Sequence, residues 1–385
     1  MTLASKARRL SYQALTVAAT ATLSTTALAT SAAASARAAG ARPAVINAHP
    51  AAHPAASNAV AGYAWVDGGS VQRYYDFNSA NGRGTAVTAS SPSTGDYQVE
   101  FANMSGIASN VGVQVTPYSM TRTCAASSWD RDGTKLRVIV DCYDLSGTLS
   151  NGNFNVIVTH PTSAPHGVFD YALDYEPNSS GTLITNQYNS SRKKNSVKHL
   201  GTGRYQLLFG GPKTTGTQGI VHVTPVSAQS GNCELVSWTG SAKGELVNVD
   251  CFAAGLGHAP QNREFIVTYA ASSSLMGINS QVVANAFANG KAPLYAPNLQ
   301  FSSKRGAKIS IVHYRTGEYG VLAVGSGGNA AKWGGDIQAN AVGTRDQLCI
   351  SGGWGTGITP SLNVNCYDKS GNLADASFTV EWVVP

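Results

Sequence analysis

The chain has few charged residues for its length. Only 12% of its 385 residues are Asp, Glu, Lys or Arg, which is about half the share in an average soluble protein. Gly, Ser, Thr and Asn are abundant instead, and a hydrophobic fraction of 43% is ample for a globular core. This balance excludes extensive disorder and is typical of strand-rich extracellular proteins with a neutral polar surface.

Long hydrophobic runs are also missing once the first residues are set aside. Three bases before residue 10, an apolar stretch at 14–29 and small residues at 35–39 predict that residues 1–39 are a secretory signal peptide. Beyond them no apolar run approaches the roughly 18–20 residues of a membrane span. No cysteine before Cys124 is present to carry a lipid. We therefore expect a secreted, extracellular protein without membrane insertion.

Most of the positive net charge of the chain belongs to the predicted signal peptide. Residues 1–39 hold four bases and no acid, so the formal net charge of +6 falls to +2 for the remainder. This small excess gives no case for nucleic acid or an anionic membrane as a partner. Residues 40–58 are rich in Ala and Pro without a period of 2 or 3.6, and we expect a flexible leader there.

One block of about a hundred residues is written three times. Its strongest anchor is a Thr-Gly-x-Tyr motif that opens a strand-like run, at 94–97, 202–205 and 316–319. Three further blocks follow in the same order: "VQVTPY", "VHVTPV" or "IQANAV", then Cys-x4-Trp, then "VIVDCYD", "VNVDCFA" or "LNVNCYD". The three copies cover residues 59–160, 167–270 and 281–385.

Nearly every block alternates apolar and polar residues, favours Val, Ile, Tyr, Phe and Thr, and is bounded by Gly, Asn, Ser or Asp. This pattern predicts β-strands with one buried face, and helical spacing is absent. Seven or eight short strands in about a hundred residues favour an antiparallel β-sandwich, with a partly open barrel as the alternative. The predicted fold class is therefore all-β, with three tandem antiparallel β-sandwich domains.

Each copy contains two cysteines, which are 18, 18 and 17 residues apart in the three copies. They lie in strand-like runs on either side of a Gly-containing turn. Antiparallel pairing of these runs brings the two sulfurs within disulfide distance, and an oxidising compartment favours the bond. The sequence therefore predicts one disulfide per copy: Cys124–Cys142, Cys233–Cys251 and Cys349–Cys366.

A tryptophan follows the first cysteine of each copy by five residues, at Trp129, Trp238 and Trp354. In an unbroken strand this odd spacing places the indole and the sulfur on opposite faces of the sheet. We prefer the interpretation in which the sulfur points outward and the indole fills the core. The alternative makes the three tryptophans platforms on the surface.

No triplicated catalytic group accompanies the triplicated fold. The eight histidines do not align between copies, except that His222 takes the position of Gln114 and Gln338 on a polar strand face, and we interpret them as surface residues. "GSGG" at 325–328, "DRDG" at 130–133, "YDLSG" and "YDKSG" are interpreted as turns. Two cysteines per copy without histidine partners do not make a zinc site. The sequence predicts no catalytic residue, no metal and no cofactor.

Basic residues recur at one bend of every copy. After "FNS", "YNS" and "FSS" come "ANGRG", "SRKKN" and "SKRGA", which contain Arg83, Arg192, Lys193, Lys194, Lys304 and Arg305. Three such loops are candidates for contact with an anionic polymer such as teichoic acid, an acidic polysaccharide or nucleic acid, with avidity supplied by repetition. The alternative is a solvated loop that keeps strand edges from aggregating.

Aromatic residues near strand ends and loops form a second candidate set. Its members are Tyr74, Tyr75, Tyr171, Tyr175, Tyr188, Tyr295 and Trp333. At such positions the rings can stack against sugar rings. Alternation along a strand buries about half of such residues in any case, so the alternative is that they belong to the core.

Thr-Gly-x-Tyr-x-Val-x-Phe, Cys-x4-Trp and Val-x-Val-x-Cys-[Tyr/Phe]-Asp occur here behind an Ala/Thr-rich signal. This combination resembles tandem-repeat exported proteins of filamentous Gram-positive bacteria, over about residues 59–385. The resemblance implies an extracellular repeat protein and brings no activity or site residues. We expect a non-catalytic binding or surface protein that attaches to an extracellular polysaccharide, a cell-wall polymer or a protein. The alternatives are a secreted hydrolase with its site in the divergent third copy, or an extracellular inhibitor or structural protein.

Overall fold

The computed structural model describes residues 59–81, 86–161, 167–183, 185–211, 219–254, 259–278, 280–290, 292–326, 334–355 and 359–384. The predicted signal peptide and leader lie outside these residues. The described part of the chain contains 26 β-strands and one 3-10 turn at Ser105–Ile107. No helix within it is long and apolar enough to cross a membrane. The predicted all-β class is confirmed.

The strands follow the three copies, named here repeats 1, 2 and 3. Repeat 1 contains β1 (Ala59–Asp67), β2 (Ser70–Asn78), β3 (Val87–Ser93), β4 (Asp96–Phe101), β5 (Gly112–Tyr118), β6 (Thr123–Asp132), β7 (Lys135–Tyr143) and β8 (Asn153–Pro161). Repeat 2 contains β9 (Val168–Asp174), β10 (Gly181–Thr182), β11 (Gln187–Asn189), β12 (Asn195–Gly201), β13 (Arg204–Gly210), β14 (Ile220–Val226), β15 (Gly231–Ser241), β16 (Gly244–Ala253) and β17 (Glu264–Ala271). Repeat 3 contains β18 (Gln281–Ala288), β19 (Leu294–Tyr295), β20 (Leu299–Phe301), β21 (Lys308–Arg315), β22 (Glu318–Val324), β23 (Asp336–Val342), β24 (Leu348–Gly355), β25 (Ser361–Tyr367) and β26 (Ser377–Val384).

Each repeat is a sandwich of an inner and an outer antiparallel sheet. In repeat 1 the inner order is β5-β8-β1-β2 and the outer order is β3-β4-β7-β6, and the equivalent strands of repeats 2 and 3 keep these orders. Outer strands such as β4 alternate buried and half-buried residues, because one of their faces is turned toward solvent. The inner strands nearest the other repeats are buried on both faces, and β5 and β14 are buried at every position.

The three repeats close into a ring. β15 of repeat 2 pairs in parallel with β23 of repeat 3, and β24 of repeat 3 pairs in parallel with β5 of repeat 1. These contacts join the outer sheet of one repeat to the inner sheet of the next and produce two nine-stranded sheets. β6 of repeat 1 lies beside β14 of repeat 2 and completes the circle. Equivalent strands therefore meet around an approximate threefold axis.

Three equivalent hydrogen bonds are among those that connect the repeats near this axis. In each, a backbone N–H of one repeat donates to the side-chain oxygen at the equivalent position of another: Val115 to Thr224 (3.0 Å), Val223 to Asn340 (2.7 Å) and Ala339 to Thr116 (3.0 Å). Both threonine side chains are fully buried. Each repeat thus satisfies a polar group that its neighbour cannot satisfy alone.

His222 also lies at the axis, and the prediction that it faces solvent is wrong. Its side chain is buried, with Nε2 3.0 Å from the Thr116 hydroxyl and Nδ1 3.4 Å from the Thr224 hydroxyl. Burial lowers the pKa of His222 to about 3, so the imidazole stays neutral. Alternation along β14 identifies its polar face, but it does not say whether that face meets water or another repeat.

The connection between repeats 2 and 3 is part of the shared core. Leu275 and Met276 are buried. The Leu275 N–H donates to Glu381 of repeat 3 (2.7 Å), and its carbonyl accepts from Gln114 of repeat 1 (2.6 Å). Burial raises the pKa of Glu381 to about 8. The segment that links two repeats in sequence is therefore held by groups from repeats 1 and 3.

All three predicted disulfides are present, Cys124–Cys142, Cys233–Cys251 and Cys349–Cys366. The prediction that sulfur and indole lie on opposite faces, with the sulfur outward, is wrong, because a β-bulge inserts one extra residue between them in every repeat. The prediction that the indole fills the core is confirmed for Trp238 and Trp354, which are buried. In repeat 1, Cys124 lies opposite Cys142 and Trp129 lies opposite Val138, four residues earlier on β7. Sulfur and indole consequently share the core-facing side of the outer sheet.

Each of these tryptophans reaches the next repeat of the ring. Trp354 of repeat 3 packs against Trp65 of repeat 1 at a ring distance of 5.5 Å. Trp238 of repeat 2 packs against Phe287 of repeat 3 at 5.1 Å. Trp129 is only half-buried and contacts the cores of repeats 1 and 2. The recurrent Cys-x4-Trp motif therefore joins a disulfide inside one repeat to a contact between repeats.

We predict that Thr116→Val destabilises the protein by about 1–3 kcal/mol, because the buried Ala339 N–H loses its acceptor without a change in shape. Urea unfolding followed by tryptophan fluorescence measures this loss. Thr134→Val at an exposed hairpin tip is the control and should leave the free energy of unfolding nearly unchanged. A loss for Thr116→Val no larger than for the control would contradict a role of this bond in ring closure.

Truncation of the equivalent tryptophans should destabilise the protein to different extents, because they are not equally buried. Trp354→Ala is expected to cost about 3–5 kcal/mol, because it empties a closed aromatic cluster. It also removes the Nε1–H donor to the Gly334 carbonyl. Trp129→Ala, at the half-buried equivalent, should cost clearly less. The same unfolding measurement compares the two variants, and equal losses would argue against the packing described.

Candidate functional site

Ring closure brings the basic loops of repeats 2 and 3 to one end of the ring. Each loop leaves an inner edge strand (β2, β11 or β20) and enters an outer strand (β3, β12 or β21). Rotation about an axis preserves height along it, so equivalent loops lie at the same end. We name this end, which carries residues 191–195 and 303–307, the basic end. Arg83 lies outside the described residues.

The basic loops have a repeated construction. The side chain that begins each loop accepts the backbone N–H two residues later: Asn78 from Ala80 (2.9 Å), Asn189 from Ser191 (2.9 Å) and Ser302 from Lys304 (3.3 Å). Such Asx and Ser turns define the backbone locally. In repeat 2 the turn presents Arg192, Lys193 and Lys194, all of them exposed. In repeat 3 it presents Lys304 and Arg305, which are also exposed.

Two further lysines belong to the basic end. Lys308 begins β21 directly after the loop of repeat 3 and is exposed. Lys243 lies at the tip of the β15–β16 hairpin, where its carbonyl accepts the Gly211 N–H (3.1 Å). The neighbouring Gly210 backbone touches the loop, since a Cβ there would lie 2.5 Å from the Lys194 carbonyl oxygen. The sequence places Lys308 beside the loop, but only the pairing of β13 with β16 brings Lys243 there.

Acidic side chains at this end of repeats 2 and 3 are buried in the described residues. They are Asp170, Glu245 and Asp336. Burial raises the pKa of Asp170 to about 7 and that of Asp336 well above its usual value. The surface of these two repeats at the basic end therefore carries bases without exposed acids, whereas in repeat 1 the acids of the hairpin tip pair with Arg137.

The buried Asp170 carboxyl also holds the basic loop of repeat 2 in place through hydrogen bonds. Its Oδ1 accepts the N–H of Ser190 (2.8 Å) and the hydroxyl of the same residue (3.1 Å). Ser190 lies two residues before Arg192, the first of the exposed bases. The buried carboxyl therefore positions the loop through hydrogen bonds and not through an ion pair.

The aromatic candidates do not form one surface. Tyr75 is buried among Trp65, Trp354 and Tyr118, which removes it from the set of ligand-stacking residues. Its position in a strand between two repeats explains this burial. Tyr188 is half-buried against Tyr171, and Tyr74 is half-buried with the Arg73 guanidinium 5.1 Å from its ring. Trp333 lies outside the described residues.

Of the motifs interpreted as turns, "YDLSG" and "YDKSG" are confirmed, whereas residues 327–328 of "GSGG" lie outside the described residues. The Ser326 hydroxyl is buried and donates to the Ala323 carbonyl (2.6 Å), so it is not presented to a substrate. Asp144 and Asp368 each accept two backbone N–H groups of their own loops. Within the described residues no group of three or more His, Cys, Asp or Glu side chains is placed to hold a metal ion.

Two small cavities lie on the axis at the end opposite the basic end. The inner one is bounded by all three disulfides and by Pro117, Pro225 and Ala341 at equivalent positions. The outer one is bounded by Asp144, Ala253 and Asp368, again one residue per repeat. Each measures about 20 Å³ and has room for about one water molecule. Neither accommodates a sugar ring or an organic cofactor.

Stability should fall with rising pH through the buried Asp170. Its pKa is raised from 3.8 to about 7 in the folded state, so the folded protein retains a proton that the unfolded chain releases. This contribution is complete below pH 4 and is lost as the pH rises to 7, by up to about 1.4 kcal/mol per pH unit for one proton. We expect Asp170→Asn to remove this component in urea unfolding between pH 4 and 8.

The matched control is Asp144→Asn. The Ser146 hydroxyl donates to the Asp144 carboxylate and lowers its pKa, so its contribution is lost as the pH falls. The two variants should therefore differ from the wild type with opposite pH dependence. A difference between wild type and Asp170→Asn that does not vary with pH would refute the assignment of this titration.

No protein-family model, curated protein or solved structure matches this chain. The three repeats are therefore compared with one another. Where they agree, as in the loop turns and disulfides, the shared feature is built into the repeat. Where they differ, the structural feature belongs to one repeat and not to the others.

Proposed function

We propose that this protein is a secreted, non-catalytic binding protein that attaches to an anionic extracellular polymer through its basic end. One observation carries this proposal. The bases of repeats 2 and 3 are exposed on turns of the same construction, while the acids at that end are buried. A repeated cationic surface of this kind favours a ligand with repeated negative charges, such as an acidic polysaccharide or a cell-wall polymer.

Ring closure supports a polymer as the ligand. Because the repeats share sheets, the spacing between their loops is set by the fold and not by a flexible linker. A pre-organised surface loses less conformational entropy on binding than loops on independent domains. Single lysines contribute little each at an exposed surface, so useful affinity requires several loops on one chain of ligand.

Charge reversal at the basic end tests the proposal. We expect the exported chain to sediment with insoluble cell walls and with an immobilised acidic polysaccharide, but not with uncharged cellulose. Lys193→Glu combined with Lys194→Glu should weaken binding by about tenfold or more, because each reversal removes an attraction and adds a repulsion. Binding by the wild type should fall steeply between low and high salt.

Arg345→Glu combined with Lys369→Glu is the control, because both side chains are exposed in loops that follow β23 and β25, away from the basic end. It changes net charge by the same amount and should bind like the wild type. Recovery of the wild type in the supernatant with every anionic material, or equal loss in both double variants, would rule out binding through the basic end.

A further inference from the structure

The edge of the outer sheet in repeat 1 differs from its two counterparts. In repeat 2 the short strand β10 pairs with β12 and places Gly181 opposite Val197. In repeat 3 the short strand β19 pairs with β21 and places Tyr295 opposite Ile311. Each short strand covers the outermost long strand of its sheet. In repeat 1, β3 is the last strand of its sheet, and no described strand pairs with its far edge.

The length of one connection explains this difference. Residues 175–186 and 289–298 join the first two inner strands of repeats 2 and 3, and each connection forms the covering strand on its way. Repeat 1 joins β1 to β2 through the turn Gly68-Gly69, whose φ angles of 61° and 78° suit a tight hairpin. Repeat 1 therefore has no segment of its own to cover β3.

The open edge of β3 presents unpaired backbone groups. The Ala102 N–H donates to the Ala86 carbonyl (2.9 Å). Because such bonds alternate along an antiparallel pair, Thr88 and Ser90 direct their N–H and C=O groups toward β4, and Ala89 directs its groups away from it. In repeat 2 the equivalent edge is used, since Leu183 donates to the Asn195 carbonyl (3.0 Å).

A gap in side-chain packing accompanies the open edge. Beneath the covering strands, Val197 and Ile311 are buried, and the covering segments add Leu183 and Tyr295 to the sandwich cores. The equivalent residue of repeat 1 is Ala89, which is smaller and only half-buried. No residue of Val87–Ser93 is charged, so the edge lacks the charged side chains that commonly protect against added strands.

The β1–β2 hairpin covers only the far end of β3. A Cβ on Gly69 would lie 3.0 Å from the Cβ of Ser91, so the hairpin tip meets β3 there. Pro92 follows directly and cannot donate a backbone hydrogen bond. The accessible part of the edge is therefore the short run from Val87 to Ser90.

We propose that this edge of β3 is a docking site for an extended peptide of another polypeptide, which adds as a strand and places a bulky apolar residue on its core-facing side, beside Val87 and Ala89. Hydrogen bonds to the backbone of Ala89 supply affinity, and the apolar residue filling the gap supplies specificity. The chain provides the template for such a ligand in its own covering segment Gly181-Thr182-Leu183. The site lies on a sheet edge and does not depend on the basic end.

The probe is a synthetic peptide of residues 178–186, Asn-Ser-Ser-Gly-Thr-Leu-Ile-Thr-Asn, added to the ¹⁵N-labelled exported chain. We expect saturable NMR shift changes confined to Val87–Ser91 and the strands beside it. Exchange of the Ala89 amide proton should slow by about tenfold at saturation, because a new hydrogen bond protects it. A peptide with Ala in place of Leu should bind about tenfold more weakly, since it leaves the gap unfilled.

Ala89→Pro removes the outward N–H and leaves the bonds of Thr88 and Ser90 to β4 in place, so it should abolish binding. Thr88→Ala is the control and should bind like the wild type. If Ala89→Pro does not fold, Ala89→Lys tests the same edge by adding a charge. Absent or dispersed shift changes, or binding retained by the edge variants, would overturn the proposal. Protection of Ala89 that rises with protein concentration alone would assign the edge to a second copy of the chain instead.

Discussion

Burial of the three inner sheets against one another is the constraint on which the rest of the structure depends. An antiparallel sheet in an isolated sandwich exposes one face to solvent, but β5 and β14 are buried at every position. Hydrogen bonds between repeats then satisfy polar groups on the axial face that water cannot reach. The bonds from Ala339 to Thr116 and from Val115 to Thr224 meet this requirement. Folding of one repeat and closure of the ring are thus coupled through the same residues.

The same constraint organises the surface. Equivalent loops lie at one end because the repeats are related by rotation, and the weak net charge of the chain is concentrated there as several exposed bases. Buried acids such as Asp170 and Asp336 have raised pKa values and do not offset this charge. A chain with only 12% charged residues can in this way present a distinctly cationic surface.

Differences between the repeats are as informative as their agreement. Trp354 is enclosed by aromatic rings of repeat 1, whereas the equivalent Trp129 remains half-buried. The contact between β6 and β14 also lacks the strand pairing found at the other two contacts. Among the described strands, none covers the sheet edge of repeat 1, whereas the equivalent edges of repeats 2 and 3 are covered. The repeats therefore share a core and differ where strands end or meet.

Much of the fold could be predicted because its signals are local. Strand alternation, the three copies and the disulfides depend on residues within about twenty positions of each other, as with Cys124 and Cys142. The errors concern features that no local pattern carries. Sulfur and indole share a face because of a bulge that the spacing of five conceals. The identification of the basic loops required only sequence, whereas the contribution of Lys243 required knowledge of which strands pair.

The sequence by itself determined the repeated strand module, its sulfur bridge and the presence of bases on one of its turns, because each of these is decided by neighbouring residues. Only the tertiary structure decided that the polar face carrying His222 is interior, that Tyr75 belongs to a core shared by two repeats, and that the basic turns of repeats 2 and 3 lie at one end. The physical reason is that alternation specifies the two faces of a strand, while the partner of each face depends on how whole sheets pack.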